Sequence, residues 1–226
     1  MAEAKGENRM TFHPIDLNHW SRTPYYHHYL HEAACSYNIT VNLDITDLLE
    51  VCRKKQLKFY PVSIYLTACA VNNHIEFRTC LDETGVLGYW DLLHPSYTWF
   101  QPESETFTSI CTPFQRDFPR FYQSYLEDTA KFGDVLKLNA QEDTPVNTFP
   151  FSALPWISFN EFNLHLAQSM DYLLPIFTTG KYFSQGERIL LPFSIRAHHA
   201  VCDGFHTARL IQEIQNLANR SAAWLT

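Results

Sequence analysis

The chain gathers its most reactive side chains in one run, residues 196–206, RAHHAVCDGFH. An unperturbed imidazole titrates near pH 6.5, so a histidine placed at a strand end is largely neutral at physiological pH and competent as a general base. Metal ligation is a second chemistry for two histidines and an aspartate. It is disfavoured because neighbouring residues on a strand point to opposite faces, so His198 and His199 do not readily share one ion. A third reading is a turn whose histidines only hydrogen-bond in the core. Asp203, four residues beyond His199, invites comparison with the carboxylate-imidazole arrangement of serine hydrolases. A carboxylate in so apolar a stretch also needs a countercharge, because removing one member of a buried pair costs about 3–5 kcal/mol. Asp203 is therefore as good an anchor as a catalytic group, and Gly204 permits a tight turn into the following helix.

Ser152, in TFPFSALPW, stands without a GxSxG nucleophile elbow and reads as a hydrogen-bond donor or as an ordinary strand serine. KFYPV at 58–62 and GKYF at 180–183 each set a lysine beside an aromatic, which can grip an adenine and a phosphate but is weak evidence alone. His27, His28 and His31 have helical spacing within TPYYHHYLHEAAC, and an ordinary packed or surface segment is the favoured reading. The six cysteines contain no CxxC pair and read as reduced core thiols.

Elements must hold these groups. Residues 35–46, CSYNITVNLDIT, alternate apolar and polar as a strand with one buried face does, and Thr46 or Asp47 can cap the helix that follows. Pro61 sits near the first turn of another apolar helix, VSIYLTACAVNN. Residues 79–113 read as short strands with a Glu-Thr-Gly turn, 116–132 as a helix and 138–147 as a polar loop. FPFSALPWISF, FNLHL, YLLPIFTTGKYF and RILLPFSIRAHH read as strands or extended segments, and a helix closes the chain with Ile211, Ile214 and Leu217 on its apolar side. The elements lack regular βαβ alternation, which implies an α/β (α+β) fold with a mixed sheet covered by helices mainly on one side.

Length and composition bound the function. The 226 residues suit one domain, 11–226, behind a flexible extension at 1–10, and 46% hydrophobic with 18% charged residues is globular composition. A net charge of −7 argues against a general nucleic-acid binder. The first ten residues lack the apolar region of a signal peptide, and no apolar run reaches bilayer length, so the cytoplasm is the expected compartment. The seven glycines form neither GxGxxG nor a P-loop, so a nucleotide-bearing cofactor must be held another way.

HHAVCDGFH resembles the signature of chloramphenicol acetyltransferases, members of the HxxxD class of CoA-dependent acyltransferases. Further segments resemble that family in order: NHWSR, LKFYPVSIYL, EFR, SYTWF, SETFTSI, SALPWISFNEFNL and DYLLPIFTTGKY, spanning residues 11 to 218. The resemblance implies a two-layer CoA-dependent acyltransferase fold and a homotrimer with active sites at subunit interfaces. It implies that His199 is the base that takes the proton from the 3-hydroxyl of chloramphenicol, that the alkoxide attacks acetyl-CoA in a ternary complex, and that no metal takes part. It further implies that Ser152 hydrogen-bonds the oxyanion, that Thr178 holds a water near it, and that Asp203 is paired with Arg22. Tyr29, Cys35, Phe107, Ser109, Phe162, Leu164 and Ile176 match the antibiotic pocket, and Lys58, Tyr60, Trp156, Lys181 and Tyr182 match the CoA side. Thr23-Pro24, His28, Ala197 and Thr179 depart from the family pattern, which bears on substrate affinity more than on chemistry. Two rival functions are an HxxxD acyltransferase with another hydroxyl acceptor and a non-catalytic trimer that binds drugs. The second predicts loss of His199 or Ser152, and both are present.

Overall fold

A long central strand organises the molecule, described here from a computed structural model over residues 11–166 and 171–225. The extension expected over residues 1–10 lies outside the described residues. In chain order the elements are β1 (Phe12–Pro14), α1 (Thr23–His27), a π-helical turn (His28–Glu32), β2 (Ser36–Asp44), α2 (Thr46–Lys54), α3 (Phe59–Asn73) and a 3-10 turn (Ile75–Phe77). There follow β3 (Thr79–Leu81), β4 (Leu87–Trp90), β5 (His94–Gln101), β6 (Thr106–Cys111), α4 (Phe118–Phe132), β7 (Thr148–Leu154) and β8 (Ile176–Gly180). β9 (Phe183–Gln185), β10 (Arg188–His198), α5 (Gly204–Asn219) and a 3-10 turn (Ser221–Ala223) complete the series.

The main sheet runs β2-β10-β8-β7-β5-β6, with β9 paired to β10, and a three-stranded sheet runs β1-β4-β3. β7 pairs in parallel with both β5 and β8 while β2, β8 and β9 pair antiparallel with β10, so the expected mixed sheet is present. β10 is buried over almost its whole length because it lies between two strands and is covered on both faces. On one face Tyr37, Leu43, Ala197, Ile195, Phe193, Phe177, Phe151 and Tyr97 pack beneath the helices in one continuous core. The other face is more polar. It carries Asn38, Thr40, Arg196, Ser194, Thr178 and Ser152, and the chain after β7 lies across part of it through a Ser194 hydroxyl that donates to the Phe162 carbonyl.

Two local expectations differ from what forms. Ile45 is the cap residue of α2 and no side chain caps the helix; Asp44, the last residue of β2, instead accepts from the Thr46 amide at 3.1 Å and hydroxyl at 2.6 Å, so neither Thr46 nor Asp47 serves as the cap. FNLHL is irregular rather than a strand. Its polar groups are taken by side chains of the sheet face below: the Phe162 amide donates to Thr40 Oγ1, and Asn38 to Asn163.

Candidate active site

β10 ends at His198, and the next residues turn sharply into α5, so His199 emerges at the sheet's end. The two histidines separate as strand geometry requires. His198 is fully buried, and its Nδ1 accepts from the Ala200 amide. The His199 amide donates to the Cys35 carbonyl, and its ring stacks on Tyr29 with centroids 3.9 Å apart and planes 5° from parallel. Tyr37 meets the same ring edge-on at 5.4 Å. Nδ1 of His199 is buried while 28% of the side chain remains exposed, which leaves Nε2 as the nitrogen facing solvent.

Asp203 is committed to Arg22. Nη1 and Nη2 of Arg22 donate to the two carboxylate oxygens at 2.6 and 2.9 Å, and Nη2 also donates to the His199 carbonyl at 3.1 Å. The bidentate bonds hold the Asp203 carboxyl below the usual carboxylate range against the opposing effect of burial. For Arg22 burial is the largest influence and lowers the pKa, but the bonds and charge of Asp203 outweigh it. Asp203 Oδ1 also approaches His199 Nδ1 to 3.1 Å without the alignment of a hydrogen bond. The carboxylate thus acts on the histidine as a nearby charge and through Arg22, which suits an anchor better than a relay.

The hydroxyl groups sit elsewhere. Register places Ser152 opposite Thr178 on the parallel pair β7-β8, and their oxygens lie 3.0 Å apart. Either hydroxyl can be the donor in that pair, and the Ser152 hydroxyl also reaches the Phe177 carbonyl as a donor in a long 3.5 Å contact. Phe107, Ser109 and Ile176 share this sheet face with Ser152, and Phe107 is 47% exposed. Phe162 and Leu164 are half-buried in the segment that crosses it. Tyr29 and Cys35 lie instead with His199.

Among the residues matched to the CoA side, Trp156 is exposed and packs edge-on against Phe100, while Tyr182 meets Phe59. The Lys181 amide is tied to the Ile157 carbonyl and the Lys58 amide to the Tyr122 hydroxyl, which leaves both exposed ammonium groups directed by fixed backbone. Tyr60 turns inward, donating to the Thr98 carbonyl, and burial pushes its hydroxyl pKa up. Sequence reasoning assigned nothing to Tyr37 or His206, which brace this end of the sheet; a histidine three residues after Asp203 was the signal at hand.

Among the described residues no group of three or more His, Cys, Asp or Glu side chains could hold a metal ion, and no helix is long and apolar enough to cross a membrane.

The mixed sheet and its covering helices have the fold of acetyltransferase core domains. A solved chloramphenicol acetyltransferase superposes with a TM-score of 0.86 over 92% of this chain and 100% of its own, at 20% identity. The dihydrolipoamide acetyltransferase of Azotobacter vinelandii gives a TM-score of 0.64 over 87% and 88% at 21% identity, a likeness of fold. A chloramphenicol acetyltransferase from Clostridium butyricum is 50% identical over 96% of this chain and 99% of its own length, and one from Staphylococcus aureus is 41% identical over 96% and 100%. The chloramphenicol acetyltransferase family model matches residues 10–215, and the chain belongs to that family.

Proposed function

We propose that this chain transfers the acetyl group of acetyl-CoA to the 3-hydroxyl of chloramphenicol, with His199 as general base. Nε2 of His199 takes the hydroxyl proton as the oxygen attacks the thioester carbonyl. Ser152, backed by Thr178, donates to the oxyanion of the tetrahedral intermediate. Collapse of the intermediate breaks the carbon–sulfur bond, and the CoA thiolate leaves with the proton held by His199. Holding both substrates around one base removes much of the entropic barrier, so no acyl-enzyme is needed. The observation that carries this reading is His199 itself: Tyr29 and the Arg22-Asp203 pair fix it with Nε2 outward, in a chain whose family assignment spans residues 10–215.

A second copy completes the site in this proposal. Ser194 lies in the same register row as Thr178 and Ser152, five residues before His199 on β10. At about 3.3 Å per residue and 4.8 Å per strand, the backbones of His199 and Ser152 are about 19 Å apart, too far to serve one carbonyl. A homotrimer in which His199 of one subunit faces the hydroxyl pair of the next satisfies the chemistry. Six unpaired cysteines support a cytoplasmic location, where acetyl-CoA is available.

The test follows thiol release from acetyl-CoA. Release is expected only with chloramphenicol present, and His199→Ala abolishes it; equal release without the antibiotic overturns the assignment. Mixing His199→Ala with Ser152→Ala subunits by co-refolding is expected to restore activity at about a quarter of the interfaces, because the wild-type groups meet across them. No restoration overturns the shared site.

A further inference from the structure

Asp203 is held from a second side by groups that the reaction does not use. Its backbone N–H donates to Nδ1 of His206 at 3.0 Å, so Nδ1 is the unprotonated nitrogen and the proton sits on Nε2. Nε2 lies 3.7 Å from Oε1 of Glu76, and the same oxygen accepts from Arg209 Nη2 at 2.9 Å. The His206 and Glu76 side chains are only 17% and 18% exposed. Glu76 belongs to the 3-10 turn before β3, Arg209 and His206 to α5, and Arg22 to the chain before α1, so three separate segments converge on the turn that carries the base.

We propose that His206 and Glu76 are positioning residues for acetyl transfer: neutral His206, oriented by Glu76, fixes the backbone of Asp203 so that its carboxylate reaches Arg22 and, through it, His199. This rests on His199 being the base. Position matters because Arg22 holds both the Asp203 carboxylate and the His199 carbonyl; a shift of Asp203 moves the guanidinium and the base with it. His206 occupies the third position of α5, where glutamate or glutamine ordinarily accepts the cap residue's N–H. Histidine there adds a titration that glutamine lacks. Protonation at Nδ1 removes the acceptor for the Asp203 amide. The charged groups facing His206 are Glu76 and Asp203, which favour its protonated form, and Arg22 and Arg209, which oppose it; burial dominates and keeps it below histidine's ordinary value.

The test compares His206→Ala with His206→Gln, which keeps the acceptor without the titration, in the thiol-release assay well below both melting transitions. His206→Ala is expected to lower kcat about tenfold, as loss of a group supporting a catalytic residue commonly does, with KM for acetyl-CoA within about twofold. His206→Gln is expected to stay within about threefold of wild type in kcat. The acid limb of its kcat/KM profile loses the second proton that steepens the wild-type limb. Wild-type kcat in His206→Ala, or equal loss in both variants, overturns the proposal. An activity-independent measurement separates this from failure of the acetyl-transfer reading: ¹⁵N NMR of histidine-labelled protein, with His206 assigned by its absence in His206→Gln, is expected to show the Nε2–H tautomer at neutral pH. An Nδ1–H tautomer overturns the proposal even if the enzyme acetylates chloramphenicol.

Discussion

Asp203→Asn separates the two roles open to this carboxylate. Asparagine keeps the shape and one acceptor but leaves the Arg22 guanidinium without its countercharge. The Arg22 side chain is 12% exposed and that of Asp203 35%, so the pair lies between a buried bridge, whose breakage costs about 3–5 kcal/mol, and a surface one worth about 0–1 kcal/mol. The bidentate geometry and the poorly solvated arginine place the loss at roughly 2–3 kcal/mol. For a chain of this size each kcal/mol moves the thermal midpoint by about 2–4 °C, so Tm should fall by about 4–12 °C. The assay is thermal unfolding followed by near-UV circular dichroism at one fixed subunit concentration, since an assembled protein's midpoint depends on concentration. Activity of the still-folded variant is measured in parallel. A variant that keeps wild-type Tm but loses activity by orders of magnitude would refute the anchor reading and return Asp203 to a relay role. The double variant Arg22→Met with Asp203→Asn should be less destabilised than the sum of the two single changes, because removing both charges leaves no orphan.

Ser152→Ala should lower kcat by about 10²–10³ with little change in KM, measured in the thiol-release assay, if the hydroxyl meets charge only as it develops. Acid should weaken the fold through Asp203: its folded pKa is depressed, so its stabilisation is complete above the unfolded value near 3.9 and is lost as pH falls through the lower folded value. Urea midpoints from neutral pH downward should show this loss in wild type and a smaller one in Asp203→Asn. Gly88→Ala probes the small sheet, since a Cβ there would lie 2.5 Å from the His13 carbonyl oxygen and the Phe12 ring. Relieving that clash should cost about 1–3 kcal/mol in unfolding experiments while leaving kcat unchanged, because β1-β4-β3 is a separate sheet from the one bearing His199 and Ser152.

What was legible in the sequence was chemistry that stays local. The alternation from Tyr37 to Ile45 identifies β2, and the run from His198 to Asp203 marks a strand end carrying candidate reactive side chains, because both depend on neighbours in the chain. Local reading fails where partners are distant. Arg22 lies 181 positions from Asp203, and only the family resemblance named it. Ser152 and Thr178 become neighbours through parallel pairing of strands separated by an irregular crossing segment, a register that no local pattern encodes. The same crossing explains why FNLHL alternates without forming a strand: it lies over a polar sheet face and bonds to side chains such as Thr40 instead of to a ladder. His206 is the instructive case. Its position follows from helix capping, yet its use depends on Glu76, 130 residues earlier in the chain, facing its other nitrogen. His206 accepts from the Asp203 amide, and Asp203 shares Arg22 with the His199 carbonyl, so protonation of His206 at Nδ1 acts on the whole turn. Measuring kcat/KM against pH in His206→Gln therefore tests whether the fold and the chemistry titrate together.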